Sequence, residues 1–332
     1  MPEIVSNLVS TIIPVHNRPV MVREAVESVL AQTYRPIEVI VADDGSTDET
    51  PDVGRALERE CPGVVRYVWN PKRGAGPARE SGRQLARGEF IQHLDSDDRL
   101  LPDKFAVQVK ALRDNPSCGA AYGFIRFCPE DEPPRVAPFK LTGETRDYLF
   151  PRLLIDRWWN TTCPLFRRSV CDAVGPWTDL QYSQDWEYDA RVGSLGTRLT
   201  HTRAFVCEQR QHSAKRQTGH GGWLEAPDRV RFFSLLCAHA TKAGVPTNCP
   251  EMRHFSRWVF AEARFCAIEG HTQVASRLLA LAVRTAERPT ALRAYGVLAH
   301  VAGWATWART SEGAYRLVRK RPGRRTMKLS WM

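Results

Sequence analysis

"VSTIIPVHNRPVMVREAVESVLAQTYRPIEVIVADDGSTDET", residues 9–50, decides the fold. Two thirds of it lies in three elements. "LVSTIIPV" (8–15) is a β-branched apolar run with the length and composition of a buried strand. Pro19 opens "PVMVREAVESVLAQ" (19–32), where Val22, Val26, Val29 and Leu30 recur at helical spacing. "IEVIVAD" (37–43) is a second buried strand. The alternation then repeats. "GSTDETPDVGRALEREC" (45–61) opens a helix with capping residues, and "VVRYVW" (64–69) is a third strand. Gly74, Gly76 and Pro77 form a loop before "ARESGRQLA" (78–86), and "EFIQHL" (89–94) is a fourth strand. Strand and helix in turn predict βαβ units, hence a Rossmann-like, mostly parallel sheet with helices on both faces. Ligands of such sheets bind beyond the carboxyl ends of the strands. His16-Asn17, Asp43-Asp44 and the run Asp95 to Asp98 all fall at such ends.

Those polar clusters carry the chemistry. "FIQHLDSDDR" (90–99) ends an apolar run in Asp95, Asp97 and Asp98. Helix capping accounts for one or two of them, whereas three carboxylates in one turn suit a hard cation such as Mg²⁺ or Mn²⁺. Such an ion would offset the negative charge that builds on a nucleoside diphosphate leaving group. "ADDGSTDET" (42–50) supplies an Asx turn and a helix cap, and leaves Asp44 available to accept an N–H from a base or a ribose hydroxyl. "YSQDWEYDAR" (182–191) offers Asp185 as a general base beside Trp186, or merely as a carboxylate compensating a helix dipole.

The remaining sequence is less regular up to about residue 220. "GAAYGFIRF" (119–127) reads as a strand, "EDEPPRVAP" (130–138) as a loop, and 183–196 as a helix. After "GHGGW" (219–223) the pattern becomes helix upon helix over 228–244, 253–270 and 272–286, with Gly244 and Gly270 as C-caps. Residues 221–332 hold 18 Lys and Arg against 7 Asp and Glu, a surplus of 11 in a chain whose net charge is +10. The positive charge therefore belongs to this helical C-terminal region. An anionic membrane surface is its candidate partner, and a solvated basic face the plainer reading; nucleic acid is not expected. Nine scattered cysteines without a CxxC pair predict neither a zinc knuckle nor a disulfide framework, which fits a reduced, cytoplasmic setting. No leader segment and no spanning helix are expected, since the longest apolar stretch, 294–308, is short and interrupted by His300.

Taken together, three stretches resemble the inverting family 2 glycosyltransferases, which have the GT-A fold. They are residues 9–50, "NPKRGAGPARESGRQLARGEFIQHLDSDDRLLPDK" (70–104) and "SQDWEYDARV" (183–192). The resemblance implies a GT-A domain over 1–220, with a nucleotide-binding half at about 8–125 and an acceptor-binding half at about 126–220, followed by the helical region 221–332. It places Pro14, Val15, His16 and Arg18 in the loop lining the base, and Asp44 on the uracil or ribose. Lys72, Gly74 and Arg79 belong to the segment closing over the nucleotide. Asp95 and Asp97, flanking Ser96, match the DxD motif that binds ribose and metal, with Asp98 an adjacent ligand and His212 near the pyrophosphate. Asp185 matches the base that deprotonates the acceptor. Gln184 stands where many members have Glu. The implied activity is metal-dependent, inverting transfer of one sugar from a nucleotide-sugar, UDP-sugar first, to a saccharide or lipid-linked saccharide. Bacterial-type cell-surface polysaccharide or glycolipid synthesis, at the inner membrane face, is the implied setting. The alternative is a non-catalytic nucleotide-sugar-binding protein on the same scaffold. A processive synthase is disfavoured, because "HFSRW" (254–258) lacks the glutamine of QxxRW and Trp258 reads as core.

Overall fold

A computed structural model describes residues 3–212 and 226–310. The elements run β1 (Val5–Val15), α1 (Pro19–Leu30), β2 (Ile37–Asp44), α2 (Thr50–Glu60), β3 (Val65–Asn70), α3 (Ala75–Leu85), β4 (Gly88–His93), β5 (Arg99–Leu100), α4 (Lys104–Asp114) and β6 (Cys118–Cys128). After a 3-10 turn at Arg152–Leu154 come β7 (Leu165–Arg167), α5 (Arg168–Val174), α6 (Gln184–Ser194) and β8 (Arg198–Arg210). The helices α7 (Ala226–Lys242), α8 (Pro250–Ile268), α9 (Thr272–Thr285) and α10 (Thr290–Ala302) follow. The chain divides into two compact units, 1–224 with 238–245 and 225–237 with 246–332.

In the first unit one sheet carries all eight strands, in the order β3-β2-β1-β4-β7-β6-β8-β5. The expected βαβ array forms its parallel part: β1 pairs with β2 and β4, and β2 with β3, all parallel. Every residue of β2 is buried, which is why its centre, Val39 to Ala42, is unbroken Val, Ile and Ala. Helix α1 starts on Pro19 and buries Val22, Ala25, Val26 and Val29, the stripe its spacing predicts, while Leu30 is only half-buried. The sheet then changes character. The short β7 pairs antiparallel with both β4 and β6, and β5 antiparallel with β8. These two short strands carry no periodic signal of their own, being three and two residues long.

The second unit is built on α8 and α9, with Phe232, Phe233, Phe255 and Trp258 as its aromatic core. Trp258 is thus core, as expected. Gly244 and Gly270 both adopt positive φ, 74° and 89°, in the left-handed region that a helix C-cap requires. All nine cysteines are free thiols. No described helix is long and apolar enough to cross a membrane. The basic segment after residue 310 lies outside the described residues.

Candidate functional site

The site forms where β1, β2 and β4 end. Asn17, in the left-handed region at φ 51°, turns the chain out of β1. Its side chain accepts the N–H of Thr47 at 2.8 Å while its own N–H donates to Ser46 Oγ at 2.9 Å. The two loops that follow β1 and β2 are thereby tied together. Pro14 and Val15 are buried strand residues, paired with Ala42 and Asp43. His16 Nε2 lies 2.9 Å from Lys72 Nζ. Gly45 is required twice over: its φ is 71°, and a Cβ there would come within 2.8 Å of the Lys72 backbone nitrogen.

The adjacent carboxylates of β2 divide their work. Asp43 is fully buried, accepting the Ser46 N–H at 2.8 Å and the Tyr67 hydroxyl at 2.6 Å; burial and this carboxylate together push the Tyr67 phenol up. Asp44 accepts the backbone N–H of Arg73 at 2.7 Å and that of Gly74 at 2.9 Å. The carboxylate expected to read the base is therefore capped by the loop expected to close over it.

The three aspartates after β4 point three ways. Asp95 accepts Arg79 Nη2 at 2.6 Å. One oxygen of Asp97, Oδ2, meets both Arg18 Nη1 at 2.9 Å and His212 Nε2 at 3.0 Å, and Arg18 Nη1 also lies 3.4 Å from Ser96 Oγ. Asp98 turns inward. Its Oδ2 accepts from Thr162 Oγ1 at 2.9 Å and Asn160 Nδ2 at 3.1 Å, and its Oδ1 from the Arg210 N–H at 3.3 Å. Burial, with Asp97 and Asp95 close by, raises its carboxyl well above the ordinary range. Asp98, expected as an adjacent ligand, is thus satisfied by neutral donors and anchors the turn. Among the described residues no three His, Cys, Asp or Glu side chains converge as a preformed metal centre. Asp97 and His212, already in contact, are the pair whose donors suit a divalent ion.

Opposite these stands the head of α6. Asp185 Oδ1 accepts the Trp186 N–H at 2.8 Å, and its Oδ2 accepts Arg157 Nη1 at 2.6 Å. Arg157 is buried and also grips Asp189, through Nε at 2.6 Å, while Trp159 Nε1 donates to the same oxygen at 2.8 Å. Burial works against ionisation of Asp185, but the positive charges of Arg157 and then Arg79 outweigh it and hold its carboxyl below the usual range. The Asp185 side chain remains 31% exposed, so an ionised oxygen acceptor faces open space. Trp186 ties its indole N–H to the Leu153 carbonyl at 3.0 Å.

Arg157, Trp159 and Asn160 had no motif to announce them, and Asp189 lay unremarked within the 183–192 stretch. The only local signal is "DRWWN" (156–160), an arginine followed by two tryptophans in an otherwise irregular stretch.

The model of glycosyl transferase family 2 matches residues 10–175. An uncharacterized glycosyltransferase of Rickettsia felis is 39% identical over 107 residues, which is 32% of this chain and 17% of that protein. The GalNAc(5)-diNAcBac-PP-undecaprenol beta-1,3-glucosyltransferase of Campylobacter jejuni is 36% identical over 93 residues, 28% of this chain and 30% of its own. The matches thus span only a minor part of these relatives. Among solved structures, S. aureus TarS 1-349 in complex with UDP-GlcNAc superposes with a TM-score of 0.70, covering 93% of this chain and 92% of that one at 17% identity. The mannosyltransferase PcManGT of Pyrobaculum calidifontis, in complex with GDP-Man and Mn²⁺, gives 0.51 at 21% identity, covering 94% and 88%. Both likenesses establish the fold, that of GT-A enzymes.

Proposed function

The chain belongs to glycosyl transferase family 2, and from that premise we propose that it catalyses inverting transfer of one sugar from a nucleotide-sugar to an acceptor hydroxyl. One observation carries the reading. Asp185 pairs with the buried Arg157 at 2.6 Å yet keeps 31% of its side chain exposed, and against the cost of burial the charges of Arg157 and then Arg79 hold it ionised. A carboxylate kept ionised opposite a cationic pocket is what such a transfer needs. Asp185 takes the proton of the acceptor hydroxyl as that oxygen bonds to the anomeric carbon. The carbon's bond to the nucleoside diphosphate breaks, its electron pair leaving on the phosphate oxygen, and attack from the opposite face inverts the configuration. A base held below the ordinary carboxylate range is a weak one, which suits a proton that moves late, once the new bond is forming.

Asp44 and the 72–74 loop receive the nucleoside, with the Arg73 and Gly74 N–H groups yielding that carboxylate to the base or ribose. Arg79 has Nε and Nη1 buried without hydrogen-bond partners, and serves the diphosphate. Asp97 and His212 fit a divalent ion, Mn²⁺ or Mg²⁺, because Asp97 Oδ2 already accepts two partners at once, and Asp95 stands on the same turn. That ion would neutralise charge on the leaving diphosphate. Release of UDP, GDP or dTDP from a panel of sugar nucleotides, with and without EDTA, tests this. Chelation should abolish release, with Mn²⁺ or Mg²⁺ restoring it; full turnover in EDTA removes the metal from the reading, and no release from any donor removes the catalysis.

A second reading concerns where the acceptor lies. Helix α10 buries only Ala299 and leaves Val297, Leu298 and Val301 exposed, the last by 82%. In sequence this face precedes the densest run of Arg and Lys in the chain, which fits an anionic bilayer surface and a lipid-linked acceptor. Flotation with phosphatidylglycerol vesicles should fail when Val297 and Val301 become Ser; equal flotation of that variant removes α10 from the reading.

A further inference from the structure

The donor-side arginine is held by more than Asp95. The guanidinium carbon of Arg79 lies 4.8 Å from the centre of the Trp177 ring. Trp177 in turn stacks on Tyr188, centroids 4.1 Å apart and planes 7° from parallel, and Arg191 lies 5.3 Å from the centre of the Tyr188 ring. His93 meets both aromatic rings edge-on, at 5.0 and 5.6 Å. The result is a layered column, arginine on indole on phenol, with Tyr188 one helical turn beyond Asp185 in α6. Trp177 and Tyr188 are both buried.

Helix α3 fixes the column from the other side. A Cβ on Gly76 would meet the Thr178 carbonyl oxygen at 2.1 Å, so the 176–178 segment rests directly on the first turn of α3. One turn on, Glu80 accepts the Trp177 N–H at 3.3 Å and pairs with Arg83 at 2.9 Å. Gly76, Arg79, Glu80 and Arg83 are spaced i, i+3, i+4 and i+7, one face of the helix. An arginine side chain with four rotatable bonds has only one ion pair here, and its Nε and Nη1 are unbonded. Without a flat partner over its face, the guanidinium would be free to swing about that single contact.

We propose that Trp177 is a positioning residue, clamping the face of Arg79 so that its guanidinium stays on Asp95 with Nε and Nη1 ready for a diphosphate. This rests on the donor-site reading above. Cation–π contact and preorganisation of one buried arginine are together worth about tenfold in affinity.

The test is a double-mutant cycle read by calorimetric binding of UDP, GDP and dTDP, followed with whichever the wild-type protein binds most tightly. Trp177→Leu should weaken binding about tenfold, and Trp177→Phe, which keeps a ring, should recover most of it. In an Arg79→Ala background Trp177→Leu should change binding less than about twofold, because its route of action is gone. A thermal melt on each variant separates loss of fold from loss of clamp. An equal loss in both backgrounds overturns the inference, as does a Phe variant no better than Leu while both melt cooperatively. Wild-type protein that binds none of the three nucleotides overturns the donor-site reading, and this inference with it.

Discussion

The two sides of the site hold their carboxylates in opposite ways. On the donor side, Asp44 is capped by backbone N–H groups of a loop, and Asp95 and Asp97 by the ends of long side chains, Arg79 and Arg18, and by His212. In the proposed reaction each such partner gives way to a nucleotide or an ion. On the base side, Asp185 and Asp189 share one buried arginine, itself wedged against Thr161 and, through Asp189, tied to Trp159. Nothing there is exchangeable without exposing a buried charge. The donor side is built to trade partners, and the base side to keep them.

The largest consequence of that contrast is chemical. Asp185→Asn keeps the shape and the Trp186 N–H bond but cannot take a proton. Turnover should fall by about 10²–10⁴-fold, the usual worth of a general base, while nucleotide affinity stays near wild type. Steady-state kinetics beside calorimetric UDP binding checks this. Parallel losses in both would mean that Asp185 acts on the donor side, and the two halves would no longer be distinct.

The base side should also be the more brittle in stability. Arg157→Met removes the shared cation and leaves Asp189 buried, so unfolding free energy should drop by about 3–5 kcal/mol in urea titrations. Adding Asp189→Leu should recover a good part of that loss, since an apolar pair of similar volume replaces the broken ion pair. A drop below about 1 kcal/mol in Arg157→Met would place this network among ordinary surface pairs.

The same contrast separates what was legible in the sequence. The donor side is made of contiguous stretches. A strand that ends in Asp43-Asp44, and another that stops two residues before Asp95, announce their own position, because burial sets the strand pattern and the pattern ends where the polar residues begin. The parallel half of the sheet and helix α1 follow from the same periodicity, whereas α3 already begins at Ala75, taking Gly76 and Pro77, which read as loop, into its first turn. The directions of the aspartates were not legible. Asp97 and Asp98 are neighbours in a turn, and which one faces the site depends on Asn160 and Thr162, more than 60 residues away in the chain. Arg157 and Trp177 were missed for the same reason. Each is a single residue in an irregular stretch, given meaning only by the tertiary contacts that surround it.

The smallest effect expected comes from the ground between the two sides. His93 is fully buried at the end of β4, with both ring nitrogens unpartnered, between Phe166, Trp177 and Tyr188. Burial, and then the charges of Arg79 and Arg83, lower its pKa to about 3. In an unfolded chain the same imidazole titrates at about 6.5. A group whose native pKa lies below its unfolded one stabilises the fold fully only above the unfolded value. Its contribution should therefore erode as pH falls from about 6.5 towards 3, because the unfolded chain binds a proton that the native protein refuses. His201, half-buried against the Thr142 carbonyl, is lowered for the same first reason and adds to the slope. His93→Phe keeps an aromatic ring in the column and removes both the unpartnered nitrogens and the proton site. Urea midpoints measured at pH 7.5, 6.0 and 5.0 should fall less steeply for this variant than for wild type, with little difference between the two at pH 7.5. At the same time nucleotide binding at neutral pH should hardly move, since a neutral imidazole lends Arg79 shape but no charge. An unchanged acid slope would mean that His93 is protonated in the folded protein, and that Arg79 and Arg83 share their column with a third positive charge.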